Sequence, residues 1–112
     1  MISKNLMAAS TKPLILAILA KGEIYGYQII QNIIRLSGGT LDWSEGMLYP
    51  VLHRLEKENF IQAKWKISEN GRKRKYYSLT ELGKMELEKE RREWIGVHEL
   101  LSDLWDRSPV FE

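Results

Sequence analysis

The sequence contains no cysteine and only two histidines. The lack of cysteine excludes disulfide bonds, thiolate metal sites and thiol nucleophiles. The histidines, His53 and His98, fall on different predicted helices, so a metal site has little support. A cytoplasmic protein needs none of these features, and the cytoplasm is therefore the expected location.

The chain also has no apolar run long enough to cross a membrane. The longest run, residues 14–20, falls far short of the roughly 20 residues that a membrane-spanning helix requires. The first residues lack the layout of a signal peptide. We therefore expect no membrane partner, and the 112 residues should form one compact domain whose core a dimer partner could extend.

The residue types needed for catalysis are not arranged for it. A nucleophile with a neighbouring base, a phosphate-binding loop or a cluster of metal ligands can be assembled here only by ignoring the spacing of the residues. We expect no enzyme activity, no metal and no cofactor.

Charge is distributed unevenly, although the net charge is only +2. Residues 61–79 carry six lysines and arginines against one acidic residue, whereas residues 80–107 carry eight acidic residues against five basic ones. A local excess of cations is typical of a surface that binds phosphates. Residues 61–79 are therefore the candidate contact surface.

Two helices are predicted in the first third of the chain. Residues 14–19 are too continuously apolar for a surface helix, and Ser10 or Thr11 followed by Pro13 is a plausible helix start. Whether residues 3–9 extend this helix is left open, because Pro13 would then lie inside it and remove a backbone hydrogen bond. Isoleucines at helical spacing predict a second helix within residues 25–36.

Ser44 is predicted to cap a third helix, with Trp43 packing on Leu48 as a hydrophobic staple. Pro50 lies inside this helix and should bend or tighten its first turns. The inner, apolar face consists of Met47, Leu48, Val51, Leu52 and Leu55. The outer face, which we place against DNA, consists of Glu45, Gly46, Tyr49, Pro50, His53, Arg54 and Lys57.

Residues 61–67 alternate between apolar and polar side chains, which predicts a strand with one buried face. Asn70-Gly71 is a strong hairpin signal, and residues 74–79 form the return strand. We therefore expect a two-stranded β-ribbon, the wing of a winged helix. Trp65 and Trp43 are both interpreted as packing residues.

Thr80 can cap a long final helix. Apolar residues on this helix recur at intervals of seven, which is typical of a helix that pairs with another helix. These residues are Leu87, Trp94 and Leu101, together with Val97 and Leu104. The predicted fold is mainly α with a small β-ribbon: a winged helix-turn-helix over residues 1–79 and a C-terminal dimerisation helix over residues 80–112.

The number of cations on the ribbon favours a role in phosphate contact over a role only in keeping the hairpin soluble. Phosphate contacts provide affinity without sequence specificity. Tyr49 and His53 could read bases or only touch the backbone. Arg54 could reach a phosphate or pair with Glu58. The candidate DNA-binding residues are Tyr25, Ser44, Glu45, Gly46, Tyr49, Pro50, His53, Arg54, Lys64, Lys66, Arg72, Lys73, Arg74 and Lys75.

Three ordered blocks carry a family resemblance: YGYQI at residues 25–29, GMLYPVLHRLE at 46–56 and RKRKYYSLTELG at 72–83. The chain resembles the PadR-like winged-helix transcriptional regulators, in particular the short ones with a single C-terminal helix. The resemblance implies a homodimeric repressor of drug-efflux or stress genes that binds a roughly palindromic DNA operator. It also implies that the third helix enters the major groove, that the wing follows the phosphates, and that the C-terminal helix crosses to the partner.

Some short members of this family sandwich flat aromatic compounds between paired tryptophans at the centre of the dimer. Trp94 falls at the corresponding position, so the resemblance implies a small aromatic effector. His98 stands one turn later, where drug-binding relatives can carry an acidic side chain, and a different ligand is therefore implied. From the residues alone, Trp94 could equally be an aromatic of the dimer core.

A second function stays open at this point. A winged helix can act as a protein-interaction module without sequence-specific DNA binding, because a fold does not by itself specify a function. The basic ribbon argues against this alternative.

Overall fold

The structure of the chain, a computed structural model, describes residues 2–41 and 43–106. Residues 107–112, which the sequence assigns to the end of the C-terminal region, lie outside this part. The elements are α1 (Lys4–Leu19), β1 (Ile24–Tyr25), α2 (Gly26–Leu36), α3 (Glu45–Lys57), β2 (Ile61–Ile67), β3 (Lys73–Leu79) and α4 (Glu81–Asp106). The predicted fold class is confirmed: the chain is mainly helical, with a small antiparallel sheet.

Helix α1 includes the extension that the sequence left open, and Pro13 lies inside it. Ser3 caps the helix, since its Oγ accepts a hydrogen bond from the Leu6 backbone N–H at 3.2 Å. Ser10 and Thr11 are therefore not the caps we expected. Their hydroxyls lie within the helix and donate to the Met7 carbonyl, and burial of Met7 and Thr11 stabilises the turn before the proline.

The predicted two-stranded ribbon is present as β2 and β3, and a third strand that the sequence did not predict extends the sheet to the order β1-β3-β2. Ile24 and Tyr25 pair with Tyr77 and Tyr76 of β3. A strand of two residues is too short to show the alternation by which strands are recognised in a sequence. The hairpin formed by β2 and β3 (residues 61–79), which we call the wing, turns at Gly71 as predicted, with a φ of +80°.

The core lies between helices α1, α2 and α3 and the inner face of the sheet. Trp43 and Leu48 are both buried in it, as the proposed staple requires. On α3, Leu48, Leu52 and Leu55 are buried and Met47 and Val51 are partly buried, which confirms the predicted inner face. The full span of α3 is α-helical through Pro50, so its first turns are not tightened into another helix type.

The prediction that Trp65 packs in the core is wrong. Its side chain is 61% exposed, and that of Ile67 is 77% exposed, whereas Ile61 on the same strand face is buried. The apolar alternation of β2 continues past the edge of the helical core, because the wing is longer than the surface that the helices cover. Alternation identifies a face of a strand but not the point where the core ends.

Helix α4 contacts the rest of the protein near its start, and its second half is exposed to solvent. The Thr80 Oγ1 accepts a hydrogen bond from the Gly83 N–H at 2.9 Å, which confirms the predicted cap. Lys12 of α1 pairs with Glu86 and lies 3.4 Å from Glu90, and these contacts tie α1 to α4. Partial burial lowers the pKa of Lys12, but the two carboxylates raise it more, so its pKa lies above the usual value.

The second half of α4 exposes a row of large apolar side chains. They are Val97, Leu100, Leu101, Leu104 and Trp105, whereas the exposed Ile95 lies on another side of the helix. Trp94 is partly buried, and Leu87 packs at the edge of the core. None of the helices within residues 2–41 and 43–106 is long and apolar enough to span a membrane.

Candidate nucleic-acid interface

The outer face of α3 is exposed along its length, as the sequence predicted. All seven of its residues are exposed: Glu45, Gly46, Tyr49, Pro50, His53, Arg54 and Lys57. Ser44 caps the helix, because its Oγ accepts a hydrogen bond from the Met47 N–H at 3.3 Å. The cap and the buried inner face together fix the orientation in which the outer face is presented.

Tyr49 on this face rests against the first residue of α2. A Cβ atom placed on Gly26 would lie 3.0 Å from both the Cε1 and the hydroxyl of Tyr49. Partial burial, with a smaller effect of Glu45, raises the pKa of Tyr49 above its usual value. The phenol therefore stays protonated at neutral pH and can donate a hydrogen bond while its ring is held in place.

We expect Gly26→Ala to lower the free energy of unfolding by up to about 1 kcal/mol through this contact, although alanine favours the helix more than glycine does. The added methyl group requires the outer end of the Tyr49 ring to shift by a few tenths of an ångström. Urea unfolding of the single and double variants measures the effect. In a Tyr49→Ala background the same glycine substitution should cost nothing, and an equal cost in both backgrounds would rule out the contact with Tyr49 as its cause.

A cleft of about 690 Å³ separates the outer face of α3 from the wing, with the start of α2 forming its floor. Its lining residues are Tyr25, Gly26, Tyr27, Tyr49, His53, Trp65, Arg72, Lys73, Arg74, Lys75 and Tyr77. Three elements that are distant in the sequence thus bring aromatic rings and cations together on one side of the molecule. This is the composition of a surface that binds a nucleic-acid backbone.

Two cations of the wing already have acidic partners. Lys66 pairs with Glu23, and the Lys75 Nζ lies 3.0 Å from a carboxylate oxygen of Glu56 on α3. The hydrogen bond to Glu56 raises the pKa of Lys75 despite its partial burial. Lys75 is therefore charged, but part of its charge is balanced within the protein.

Four cations of the wing have no carboxylate partner among the residues that the structure describes: Lys64, Arg72, Lys73 and Arg74. Aromatic rings position two of them. The guanidinium of Arg74 lies 4.3 Å from the ring centre of Tyr25, and the Nζ of Lys73 lies 5.6 Å from that of Trp65. Such contacts orient a cation without neutralising it, so these charges remain available to an anion.

The structure does not gather all of the candidate contacts into the cleft. Lys64 and Lys66 alternate with the cleft-lining Trp65 along β2 and therefore face the other side of the sheet. The Nε of Arg54 lies 3.8 Å from Glu58, which is the pairing that the sequence left open. That pair is exposed and therefore weak, so it leaves Arg54 able to contact a phosphate.

Trp94 and His98, the candidate ligand contacts, lie on α4 and outside the cleft. The exposed His98 has its Nε2 3.5 Å from the Ser102 hydroxyl. Within residues 2–41 and 43–106, no group of three histidine or acidic side chains is close enough to hold a metal ion. Four cleft residues were not among the predicted contacts: Gly26, Tyr27, Trp65 and Tyr77.

Only the position of Trp65 between two lysines could have indicated its exposure from the sequence. A large apolar side chain among cations suits a nucleic-acid surface as well as a core face. Tyr27 and Tyr77 carry no comparable signal, because tyrosine is common at the edge of any core.

Comparisons with known proteins agree with this arrangement. The profile of the Transcriptional regulator PadR-like family matches residues 15–89. The negative transcriptional regulator PadR of Bacillus subtilis is 33% identical over 76% of this chain, and the match covers 44% of that protein's length. The chain thus spans less than half of this longer relative.

Two solved structures share the fold over almost their whole length. A PadR-like transcriptional regulator from Bacillus cereus aligns with a TM-score of 0.84 and 30% identity, covering 94% of this chain and 100% of that one. A transcriptional regulator from Clostridium thermocellum aligns with a TM-score of 0.83 and 27% identity, covering 92% and 97%. With its exposed α3 face and cationic wing, the chain belongs to the PadR-like family and is a DNA-binding transcriptional regulator, not an enzyme.

Proposed function

We propose that this protein is a homodimeric repressor that binds a roughly palindromic operator. In this proposal the outer face of α3 enters the major groove and the wing lies along the phosphates. The observation that carries it is the cleft between them, where unneutralised cations of the wing lie beside the exposed face of a capped helix. Cations that contact the phosphates of DNA give affinity, and the side chains of α3 that reach the bases give sequence specificity.

Helix α4 supports the dimeric part of the proposal. Its predicted seam consists of Leu87, Trp94, Val97, Leu101 and Leu104, and three of these side chains are exposed large apolar groups in the single chain. Leu100 and Trp105, which the heptad spacing did not include, widen the apolar surface. An apolar surface of this extent on a helix is stabilised by a partner helix, and a second copy of the chain supplies an identical one.

A two-fold dimer explains the palindromic operator. Each copy presents one α3, so the two half-sites should have opposite orientation. Their centres should lie one turn of DNA apart, about 34–36 Å, or a multiple of that distance.

The proposal includes a small aromatic effector at the dimer centre. Trp94 is partly buried. The family resemblance implies that, in the proposed dimer, a second Trp94 would lie near it at the two-fold axis. His98 lies one turn further along the same helix and is exposed. A flat ligand bound between the two rings would alter how the two copies meet and hence the spacing of the two α3 helices.

The separate roles of the wing and α3 can be tested with two variants and salt titrations. We expect Arg72→Ala to weaken binding to all DNA sequences alike and to reduce the slope of log K against log salt by about one. We expect His53→Ala to change the preference among operator variants, since a base contact is worth about 1–3 kcal/mol of discrimination. Fluorescence anisotropy with a set of operator variants measures both quantities.

Lys89→Ala is the matched control, because Lys89 is an exposed cation on α4 and does not line the cleft. It should leave affinity and slope unchanged. Uniform weakening by His53→Ala across all sequences would refute base reading by this residue. If the wild-type protein binds DNA with no sequence preference and no salt dependence, the result would instead favour a protein-interaction module.

A further inference from the structure

The wing carries two large apolar side chains where the helices no longer cover it. Trp65 is 61% exposed and Ile67 is 77% exposed, and they are consecutive members of one strand face. The register places Trp65 opposite Lys75 and Ile67 opposite Lys73. The apolar pair therefore lies on the same face as two lysines, within a wing that is otherwise polar and basic beyond the core.

Contacts within the wing do not account for this exposure. Lys73 is the cation placed over the indole of Trp65, at 5.6 Å from the ring centre, which is near the outer limit for such contacts. Most of the indole still faces solvent. Its cross-strand neighbours on this face are lysines, and they leave an apolar surface uncovered.

The position of Trp65 indicates its partner. Trp65 lines the cleft on the side of the wing, and His53 of α3 lines the same cleft. The cations Arg72 and Lys73 flank it on the same wall and are not neutralised by carboxylates of the described residues. An apolar protein partner would bury these positive charges without compensation, and a second copy of this surface would bring like charges together. A polyanion with apolar segments between its charges would match both features.

We propose that Trp65 makes an apolar contact with a deoxyribose of the bound DNA strand that runs between α3 and the wing. The inference rests on the proposed function, since it assigns a contact within that DNA complex. The sugar lies between two phosphates along the backbone, so the flanking cations bind the phosphates while the indole covers the sugar. Trp65 thereby contributes affinity that does not depend on salt.

The test compares the affinity and its salt slope for Trp65→Ala, Trp65→Phe and Arg72→Ala. We expect Trp65→Ala to weaken binding about tenfold at every salt concentration and to leave the slope unchanged, because no counterion is released by an apolar contact. Trp65→Phe should recover most of the affinity. Arg72→Ala should instead reduce the slope by about one.

Two controls separate this contact from a structural role. The exposed indole should be replaceable without a change in the midpoint of urea unfolding. Adding DNA should also change the fluorescence component of Trp65, obtained as the difference between the wild-type protein and Trp65→Phe. Ile67→Ala should weaken binding less than Trp65→Ala does, because its smaller side chain does not line the cleft.

The possible failures are distinguishable. Wild-type binding with undiminished affinity in Trp65→Ala would overturn the inference and leave the proposed function intact. A loss of affinity accompanied by a reduced slope would overturn it as well, since Trp65 would then act only by positioning Lys73. Absence of DNA binding by the wild-type protein would overturn both the inference and the proposed function.

Discussion

Leu101→Asp is expected to dissociate the dimer and to lower the affinity for an operator by about 100-fold or more. Leu101 lies in the apolar row of α4 and is partly exposed in the single chain. In the proposed dimer this side chain is buried, and a carboxylate buried there without a partner would be strongly unfavourable. A monomer can engage only one half-site, so the gain from binding two linked half-sites is lost.

Sedimentation of the variant and its titration with operator DNA measure the two effects. Met85→Asp is the matched control, because Met85 is 69% exposed on the same helix and lies nearly opposite Leu101 by helical periodicity. It should remain dimeric and bind DNA normally. A Leu101→Asp protein that stays dimeric would contradict the assignment of this face to the dimer contact.

Gly83→Ala is expected to lower the free energy of unfolding by at least about 2 kcal/mol. Gly83 is buried in the first turn of α4, where a Cβ atom would lie 1.9 Å from the carbonyl oxygen of Phe60. That oxygen belongs to the backbone and also accepts a hydrogen bond from the Thr80 N–H, so it cannot move without breaking the junction between the wing and α4. The substitution must shift α4 away from the sheet.

Urea unfolding at a fixed protein concentration tests this expectation, and the same helix supplies its control. Apart from its chain neighbours and the backbone of its own helix, no atom of the residues that the structure describes lies within 4 Å of a Cβ placed on Gly96. Gly96→Ala should therefore raise the free energy of unfolding by up to about 1 kcal/mol, the usual advantage of alanine in a helix. Equal effects of the two substitutions would mean that the close approach of the Phe60 carbonyl oxygen is not what requires a glycine at position 83.

Features with a regular spacing were predictable from the sequence. The inner face of α3 follows from apolar residues at helical spacing, and the hairpin follows from the alternation of residues 61–67 and the turn signal at Asn70-Gly71. The long final helix follows from its cap at Thr80 and its heptad spacing. These signals are local, so no knowledge of the tertiary structure is needed to read them.

Features that depend on distant partners were not predictable. Strand β1 is defined only by its pairing with Tyr76 and Tyr77 of β3. The start of α1 depends on burial of Met7, which outweighs the cost of Pro13 inside the helix. The exposure of Trp65 depends on where the helices stop covering the sheet, and a strand pattern contains no information about that edge.

The candidate site divides in the same way. The exposed face of α3 and the cations of the wing were identified by residue type and spacing. The sequence did not identify which of these cations remain available to bind an anion, because Glu23 and Glu56 are remote in sequence from the lysines they pair with. The close approach of Tyr49 to Gly26 is likewise a tertiary contact. The availability of each charge is therefore a property of the fold and not of the wing sequence alone.

The most direct test of the proposed function is the binding of the purified protein to the DNA upstream of its own gene. Sedimentation of mixtures over a range of salt concentrations gives both stoichiometry and affinity, and unrelated DNA of equal length is the comparison. We predict a dimer on each site, a steep salt dependence and a preference of at least about 1,000-fold for the upstream DNA. Equal affinity for the two DNAs, or binding as a monomer, would contradict the proposal of a dimeric, sequence-specific repressor.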